Sequence, residues 1–278
     1  ITDDLKVIAG GRISSWNREG ISYGTDTNFG DDGVFVPYVG ALYDINEEHR
    51  VYASYTEIFN PQNSKDINGD YLEPLEGKAY EIGLKSAYLD DRLHTAVALF
   101  KIEQDNLATP AGTIIVDGTP TTYYKAAQGT ESTGFELEVV GEFIDGWNIT
   151  AGYSQFTAED ADGKKVATTS PRKQFKLFTT YQFVDYLPEL TVGGGINWQS
   201  DSYSEGGTVK IDQDAYSLVN LMARYNLTDN MDLQLNVENL LDEKYYAYMS
   251  ASASMSEAYS VYHYGTPRNV TLSFNYRF

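Results

Sequence analysis

The sequence contains no cysteine and few basic residues. Its 278 residues include 20 Lys and Arg against 40 Asp and Glu, which gives a formal net charge of -20. The absence of cysteine excludes disulfide bonds and thiolate metal sites. Proteins bind nucleic acid largely by neutralising phosphates with positive charge, so a chain this acidic is expected to have no nucleic-acid partner.

Long hydrophobic runs are also missing. No apolar run approaches the roughly 18 residues that indicate a transmembrane helix. This does not exclude a membrane β-barrel, whose signal is weak alternation in segments of about ten residues. A soluble β-sandwich or propeller is compatible with the same composition. The chain opens at Ile1 with no signal-peptide pattern, and we expect that its start is preceded by further sequence.

Motifs of enzyme and metal chemistry are absent too. The three histidines, His49, His94 and His263, show no ligand spacing, and no Gly-x-Ser-x-Gly elbow occurs. The stretch that begins at Asp66 resembles the start of a calcium loop, but its twelfth position is Gly77 where a bidentate Glu is needed. We therefore predict a polar turn there, no catalytic residues and no metal site.

The sequence does contain segments in which polar and apolar residues alternate. From residue 269 to residue 278, polar residues alternate with apolar or aromatic ones, which indicates a strand with two different faces. A lipid-facing side, a wet side and terminal aromatics are typical of a transmembrane barrel strand. The apolar set is Val270, Leu272, Phe274, Tyr276 and Phe278.

The same analysis predicts about twelve strands, joined alternately by short turns and long loops. Outer-membrane barrels sort their connections in this way, with short periplasmic turns and long extracellular loops. The predicted fold class is therefore all-β, an antiparallel transmembrane β-barrel portion. The predicted strands are 6–16, 34–44, 50–59, 76–89, 92–104, 129–144, 147–156, 174–183, 190–199, 216–227, 231–238 and 270–278.

Several stretches resemble TonB-dependent outer-membrane receptors. Residues 237–245 (VENLLDEKY) are similar to the family's penultimate-strand signature, and residues 265–268 (GTPR) with terminal Phe278 to its last-strand signature. More specific similarity to hydroxamate-siderophore receptors, first ferric-coprogen and rhodotorulate receptors and then pyoverdine receptors, lies in four further stretches. These are 51–62 (VYASYTEIFNPQ), 80–85 (YEIGLK), 102–106 (IEQDN) and 190–199 (LTVGGGINWQ).

The resemblance implies a function of binding and transport, with no enzymatic step. Residues 1–278 would be the C-terminal part of a barrel of about 22 strands, without the N-terminal plug and the early strands. Implied partners are a ferric siderophore, the outer membrane with its lipopolysaccharide, and TonB through the missing N-terminal part. No cofactor is implied, because iron travels within the siderophore.

Aromatic residues near the long loops are the candidate ligand contacts, because amphipathic rings suit a ligand with an apolar scaffold and polar chelating groups. We single out Trp16, Phe59, Tyr124 and Tyr203. With 23 Tyr in the chain, each of them could instead be a girdle or loop-packing residue. Trp198 falls on the apolar face, where a girdle role is expected.

Two alternatives remain at this stage. The first is a receptor of the same superfamily with another cargo, such as cobalamin, haem or a saccharide. The second is a complete, smaller outer-membrane barrel that acts as a pore or an enzyme. Ligand binding would distinguish the first alternative, and ion conductance or lipid cleavage the second.

Overall fold

Short turns with strong local signals join consecutive strands into hairpins. In one turn the side-chain oxygen of Asn46 accepts hydrogen bonds from the backbone N–H groups of Glu48 (2.9 Å) and His49 (2.8 Å). In another, Gly146 takes a positive φ of 80°, which glycine adopts at no steric cost. Polar turn residues between alternating stretches thus produce antiparallel pairs.

The computed structural model describes residues 3–22, 25–116, 118–127, 129–253 and 258–278. These residues form eighteen β-strands. The described residues include no helix that is long and apolar enough to cross a membrane. The strands are β1 (Leu5–Ser22), β2 (Thr25–Asp44), β3 (His49–Asn60), β4 (Leu75–Tyr88), β5 (Leu93–Asp105), β6 (Leu107–Val116), β7 (Thr119–Ala127), β8 (Thr130–Ile144), β9 (Trp147–Glu159), β10 (Lys173–Phe183), β11 (Leu187–Gln199), β12 (Ser202–Gly206), β13 (Val209–Gln213), β14 (Tyr216–Thr228), β15 (Met231–Glu238), β16 (Tyr246–Ala253), β17 (Ala258–Tyr264) and β18 (Asn269–Tyr276).

Twelve of these strands form one sheet in the order β1-β2-β3-β4-β5-β8-β9-β10-β11-β14-β15-β18. The described pairings within it are antiparallel. Each of the twelve corresponds to one of the predicted strands, and the alternation of short turns with long connections is present. The predicted all-β fold class is therefore confirmed.

Six further strands lie in segments that the sequence analysis assigned to loops. They form three two-stranded hairpins, β6–β7, β12–β13 and β16–β17. In addition, β1 and β2 extend into residues 17–33, for which the sequence predicts a loop. Most of these strands escaped prediction because their two faces differ little in polarity, which removes the alternation that marks a half-buried strand. The exception is β13 (VKIDQ), which alternates but is only five residues long.

The chain divides into two compact units. The first comprises Ile1–Leu84, Ala98–Gly134 and Thr157–Val166, and it contains the β6–β7 hairpin. The second comprises Lys85–Val97, Phe135–Phe156 and Ala167–Phe278, and it contains the β12–β13 and β16–β17 hairpins.

In the second unit the strand registers align apolar residues with apolar residues from strand to strand. On β15 and β18, Leu233 is opposite Phe274 and Leu235 is opposite Leu272, whereas Gln234 is opposite Ser273. The same registers continue through β9, β10, β11 and β14. The apolar face, as we call it, carries in successive strands Ile149, Leu177, Ile196, Val219, Leu235 and Leu272.

The opposite face of these strands carries Lys176, Arg224, Asp232 and Glu238. Charges of this kind are costly toward lipid, so this second face requires water or partners. Among the described residues, the only buried apolar side chains are Ala98, Ala158 and Met249. A single sheet that turns one apolar face to lipid needs no large buried core.

Aromatic residues mark the strand ends next to the short turns. Phe143 and Trp147 flank the 145–146 turn with their ring centroids 5.7 Å apart. Tyr186, 91% exposed, lies in the turn between β10 and β11. Tyr276 and Phe278 pack edge to face at 4.9 Å at the end of the chain. Such aromatics are typical of the girdle at a membrane interface.

Candidate functional site

A backbone irregularity positions Trp16. The β1–β2 register shifts between Ser14, which is opposite Val34, and Trp16, which is opposite Asp31. The hydroxyl oxygen of Ser15 accepts a hydrogen bond from the Gly33 backbone N–H at 3.1 Å. Bulges re-aim the side chains that follow them and occur often beside functional sites.

Trp16 is part of a group of four rings in the first unit, which we call the aromatic cluster (Trp16, Phe29, Phe59 and Tyr71). Trp16 packs edge to face against Phe29 at 5.1 Å and lies 6.5 Å from Phe59. Phe29 stacks on Tyr71 at 4.5 Å, with an interplanar angle of 22°. All four side chains are partly exposed, so ring surface remains available to a ligand.

A positive charge and a hairpin adjoin the aromatic cluster. The Lys65 ammonium lies over the Tyr71 ring, 4.4 Å from its centroid, in the geometry of a cation–π interaction. The backbone N–H of Tyr124, on β7, donates to the carbonyl oxygen of Lys65 at 2.8 Å. Tyr124 is therefore anchored beside the same connection between β3 and β4 that supplies Lys65 and Tyr71.

Side-chain hydrogen bonds hold this connection in place. The Gln62 amide donates to the carbonyl oxygens of Glu73 and of Asn106, the latter at 2.7 Å. The Asn106 amide in turn donates to the Pro74 carbonyl oxygen at 3.1 Å. Residues 61–74 are thus tied at both ends to the segment that follows β5. A connection held in this way presents its aromatic and basic side chains at fixed positions.

One polar atom of the aromatic cluster is unused. The Trp16 indole Nε1 is buried and has no hydrogen-bond partner within the part of the chain that the structure describes. Buried donors are nearly always satisfied in native proteins, so an unpaired one needs a partner from elsewhere. The group that would satisfy it is a hydrogen-bond acceptor, which reaches the buried nitrogen only if the side chains that cover it move.

Tyr203 lies on β12 in the second unit, where a lysine also packs over the tyrosine ring. The Lys210 ammonium lies 4.6 Å from the Tyr203 ring centroid, and the Tyr203 backbone N–H donates to the Thr168 carbonyl oxygen at 2.9 Å. Lys210 also contacts Asp212 at 2.5 Å, and this hydrogen bond raises the pKa of Lys210.

The structure brings two of the four predicted contact residues, Trp16 and Phe59, into ring contact and anchors Tyr124 beside them. The sequence analysis missed Phe29, Tyr71 and Lys65. Phe29 and Tyr71 are single aromatics in otherwise polar segments, and that isolation is the signal that could have found them. The ligand-binding role of all these residues remains a prediction.

The calcium-like stretch forms a turn closed by its own side chain. Oδ1 of Asp66 accepts hydrogen bonds from the backbone N–H groups of Asn68 (2.8 Å) and Asp70 (3.0 Å). Asp160 accepts from Asp162 (3.0 Å) and Lys164 (2.9 Å) in the same pattern. These carboxylates act as Asx-turn acceptors. The described residues include no group of three or more His, Cys, Asp or Glu that could hold a metal ion.

Comparison with known proteins places this geometry in a family. The family described as "TonB dependent receptor-like, beta-barrel" matches residues 1–240. The chain belongs to it. As a TonB-dependent receptor barrel it lies in the bacterial outer membrane, as the sequence predicted.

Related receptors cover the whole chain. The ferric-pyoverdine BN7/BN8 receptor of Pseudomonas putida is 41% identical over 285 residues, which are 100% of this chain and 33% of that receptor. The ferripyoverdine receptor of Pseudomonas aeruginosa is 39% identical over 290 residues, again 100% of this chain and 34% of the receptor. The chain therefore spans about a third of the length of these curated relatives.

A solved structure agrees with this relationship. The pyoverdine outer membrane receptor of Pseudomonas aeruginosa, bound to pyoverdine, superposes with a TM-score of 0.88 and 38% identity, over 100% of this chain and 40% of that one. The sequence analysis ranked coprogen receptors before pyoverdine receptors. The two relatives named above and the superposed structure are pyoverdine receptors, and this similarity reverses that order.

Proposed function

We propose that this chain is the C-terminal barrel segment of a TonB-dependent outer-membrane receptor that takes up a ferric siderophore of the pyoverdine type. Identity of 41% and 39% to two pyoverdine receptors over the full chain is the observation that carries the proposal. The hydroxamate siderophore coprogen, which the sequence analysis placed first, becomes the second candidate, on the strength of residues 51–62, 80–85 and 102–106.

The aromatic cluster would supply the ligand contacts of the first unit. Its rings offer apolar faces to an organic scaffold, and the Trp16 N–H offers a donor to a ligand oxygen. Lys65, held over Tyr71, adds a positive charge for an anionic group. Such a combination of aromatic surface with a few placed polar groups is typical of small-molecule sites.

The proposed role contains no bond-making step. Both curated relatives are receptors, and we propose the same non-enzymatic role for this chain. Binding would occur on the long-loop side, and release into the periplasm would be driven through TonB acting on the N-terminal part of the full-length protein. Iron enters as cargo within the siderophore and is not a cofactor of the protein.

Uptake of radioactive iron by the full-length protein tests the proposal. The natural protein that contains this chain would be expressed in a bacterial strain that lacks its own siderophore receptors. Cells would receive iron as ferripyoverdine, as ferric coprogen or as haem, with an otherwise identical strain without TonB as the control. We expect TonB-dependent uptake from ferripyoverdine.

The result separates the alternatives. Uptake from ferric coprogen with none from ferripyoverdine would make the second candidate correct. Uptake of iron from haem, or growth that depends on the receptor when cobalamin is limiting, would assign the receptor to another cargo. Iron entry that is equal with and without TonB would indicate a passive pore and contradict the proposal.

A further inference from the structure

The apolar face of the second unit contains a groove with a volume of about 540 Å³. The residues that line it include two small ones, Gly194 and Ala223, and three larger ones, Trp147, Tyr181 and Leu221. A volume of this size falls within the range of small-molecule pockets. The groove is an open depression in the apolar face and not an enclosed cavity.

The strand registers create the groove. Gly194 on β11 is opposite Thr179 on β10 and Leu221 on β14, so the middle of that row has no side chain of its own, and Cδ2 of Leu221 lies 3.0 Å from the place that a Cβ at Gly194 would take. In the next row, Ala223 leaves a second gap opposite Val192. The missing side chain at Gly194, whose space Leu221 fills in part, and the short side chain of Ala223 together leave a depression between larger neighbours.

The chemistry of the groove is that of a hydrocarbon site. None of the residues that line it is charged. Its Trp147 indole N–H donates to the Thr179 hydroxyl at 2.7 Å, and that hydroxyl donates to the Asn148 carbonyl oxygen at 2.9 Å. Because these polar groups satisfy one another, the groove presents mainly carbon surface. It suits an alkyl chain and does not suit a siderophore or a charged headgroup.

The position of the groove along the strands indicates which molecule occupies it. Trp147 is the first residue of β9, directly after the 145–146 turn, and Tyr181 is two residues from the end of β10. The groove therefore lies at the short-turn end of the apolar face. Short turns of outer-membrane barrels are periplasmic. We propose that the groove binds an acyl chain of a phospholipid in the periplasmic leaflet of the outer membrane.

Packing, and not the hydrophobic effect, would hold this chain. Lipid tails are as apolar as leucine, so contact with ordinary membrane lipid has no hydrophobic preference over contact with the protein. A depression left unfilled forfeits dispersion contacts along its walls, whereas a seated chain makes them. We therefore expect a site that exchanges more slowly than the surrounding lipid and saturates at a single chain.

Lipid retention by the full-length protein provides the test. The protein would be reconstituted in vesicles of palmitoyl-oleoyl phosphatidylethanolamine and phosphatidylglycerol and then extracted in detergent. After weakly bound lipid is removed by washing in detergent, native mass spectrometry would measure the mass of the protein with the lipid that it retains. We expect the wild type to retain a phospholipid that Ala223→Phe, which fills the groove, loses several-fold more readily. Ala223→Leu, a smaller filling substitution at the same position, provides a second variant if Ala223→Phe does not fold.

Leu272→Phe is the matched control. Leu272 is 69% exposed on the same apolar face, in β18, and does not line the groove. We expect this variant to retain lipid as the wild type does. Equal retention by all variants, or no retained lipid in the wild type, would overturn the proposal. Retention of lipopolysaccharide instead of phospholipid, or a stable dimer that the filling variants abolish, would assign the groove to another occupant.

Quenching of Trp147 fluorescence gives an independent readout. In vesicles whose phospholipids carry bromine on the acyl chain, the component of fluorescence that Trp147→Phe removes should be strongly quenched. Ala223→Phe should reduce that quenching, and Leu272→Phe should not. Unchanged quenching in Ala223→Phe would mean that Trp147 meets only bulk lipid, against the proposal.

Discussion

Asn239 donates a side-chain amide hydrogen to the carbonyl oxygen of Thr266, 3.1 Å away and 27 residues further along the chain. Its second amide hydrogen goes to the Glu243 carbonyl oxygen (2.9 Å), and its Oδ1 accepts from the Glu243 backbone N–H (2.8 Å). Its own backbone N–H donates to Asn220 (2.9 Å). One side chain, 4% exposed, thereby joins the two ends of the connection between β15 and β18.

We predict that Asn239→Ala lowers the free energy of unfolding of the full-length protein by about 3 kcal/mol, because each buried polar group left unpaired costs about 1–3 kcal/mol. The positive φ of 48° at this position adds strain that asparagine tolerates better than alanine. Denaturant unfolding in detergent measures the change. Asn269→Ala, at an exposed position nearby, is the control and should leave stability unchanged. An equal loss of stability in both variants would contradict the role of Asn239 in joining the two ends of the connection between β15 and β18.

The sheet could be predicted well from the sequence alone because alternation within a strand is a local pattern. Alternation in residues 231–238 and 270–278 specifies which side chains share a face, and the register that pairs Leu235 with Leu272 follows from it. The motif stretches also proved to be contact partners: the Tyr52 phenol donates to Glu81 at 2.5 Å. Those contacts were not predictable, because each joins residues far apart in sequence.

The candidate site was predictable only in part for the same reason. Trp16 and Phe59 could be chosen singly as aromatics near long loops. Their contact depends on the bulge after Ser14 and on Phe29. Phe29 lies in the first part of β2, in a segment without alternation. No local pattern encodes a contact between a bulged strand and a loop that is held by distant hydrogen bonds.

The unpaired indole N–H makes Trp16 the sharpest test of ligand binding. We predict that Trp16→Phe, which keeps an aromatic ring and removes the donor, weakens ferripyoverdine binding by the full-length protein about tenfold, the equivalent of about 1.4 kcal/mol. Trp16→Ala should weaken it further, because the contacts with Phe29 and Phe59 are lost as well. Titration of the purified protein with ferripyoverdine measures both.

Trp198→Phe is the matched control for that experiment. Trp198 pairs with Phe175 and Ser217 on the apolar face of the second unit, and it is not a member of the aromatic cluster. This variant should bind as the wild type does. If Trp16→Phe also binds normally, the unpaired donor has no role in recognition, and Trp16 is a packing residue.

The Asp66 turn should depend on pH and not on calcium. Partial burial raises the pKa of Asp66, but hydrogen bonds from the Asp70 and Asn68 backbone N–H groups outweigh it and lower the pKa below its usual value. A carboxylate whose pKa is depressed on folding stabilises the turn above its unfolded pKa of about 3.9, and the effect is lost as the pH falls through the folded pKa.

Hydrogen exchange at Asn68 and Asp70 in the full-length protein measures this dependence. We expect protection of these amides to fall in acid in the wild type, and Asp66→Asn, which keeps an acceptor oxygen without charge, to remove most of the dependence. Asp70→Asn, in the same turn, should leave the dependence in place. Added calcium should change nothing, and protection that rises with calcium would show that the turn is a cation site after all.

Arg224 and Asp232 form a charged contact on the face opposite the apolar one. Nη2 of Arg224 lies 3.2 Å from Oδ1 of Asp232, which is only 6% exposed, and the Asn275 amide donates to the other carboxylate oxygen at 2.8 Å. Removal of one partner from a buried pair costs about 3–5 kcal/mol, because the remaining charge is left uncompensated. The Arg224 side chain is 38% exposed, so solvent reduces this cost.

We therefore predict that Arg224→Leu lowers the free energy of unfolding by about 2 kcal/mol. Arg277→Leu, at an exposed position on the adjacent strand end, should have little effect. The double variant Arg224→Leu/Asp232→Leu removes both charges and should be more stable than Arg224→Leu alone, since apolar replacement of a whole buried pair is often neutral. Denaturant unfolding of the wild type, Arg224→Leu, Asp232→Leu and the double variant completes the cycle, and Arg277→Leu is measured beside them as the control. A double variant less stable than Arg224→Leu would mean that Asp232 is stabilised mainly by Asn275 and water, with Arg224 a minor partner.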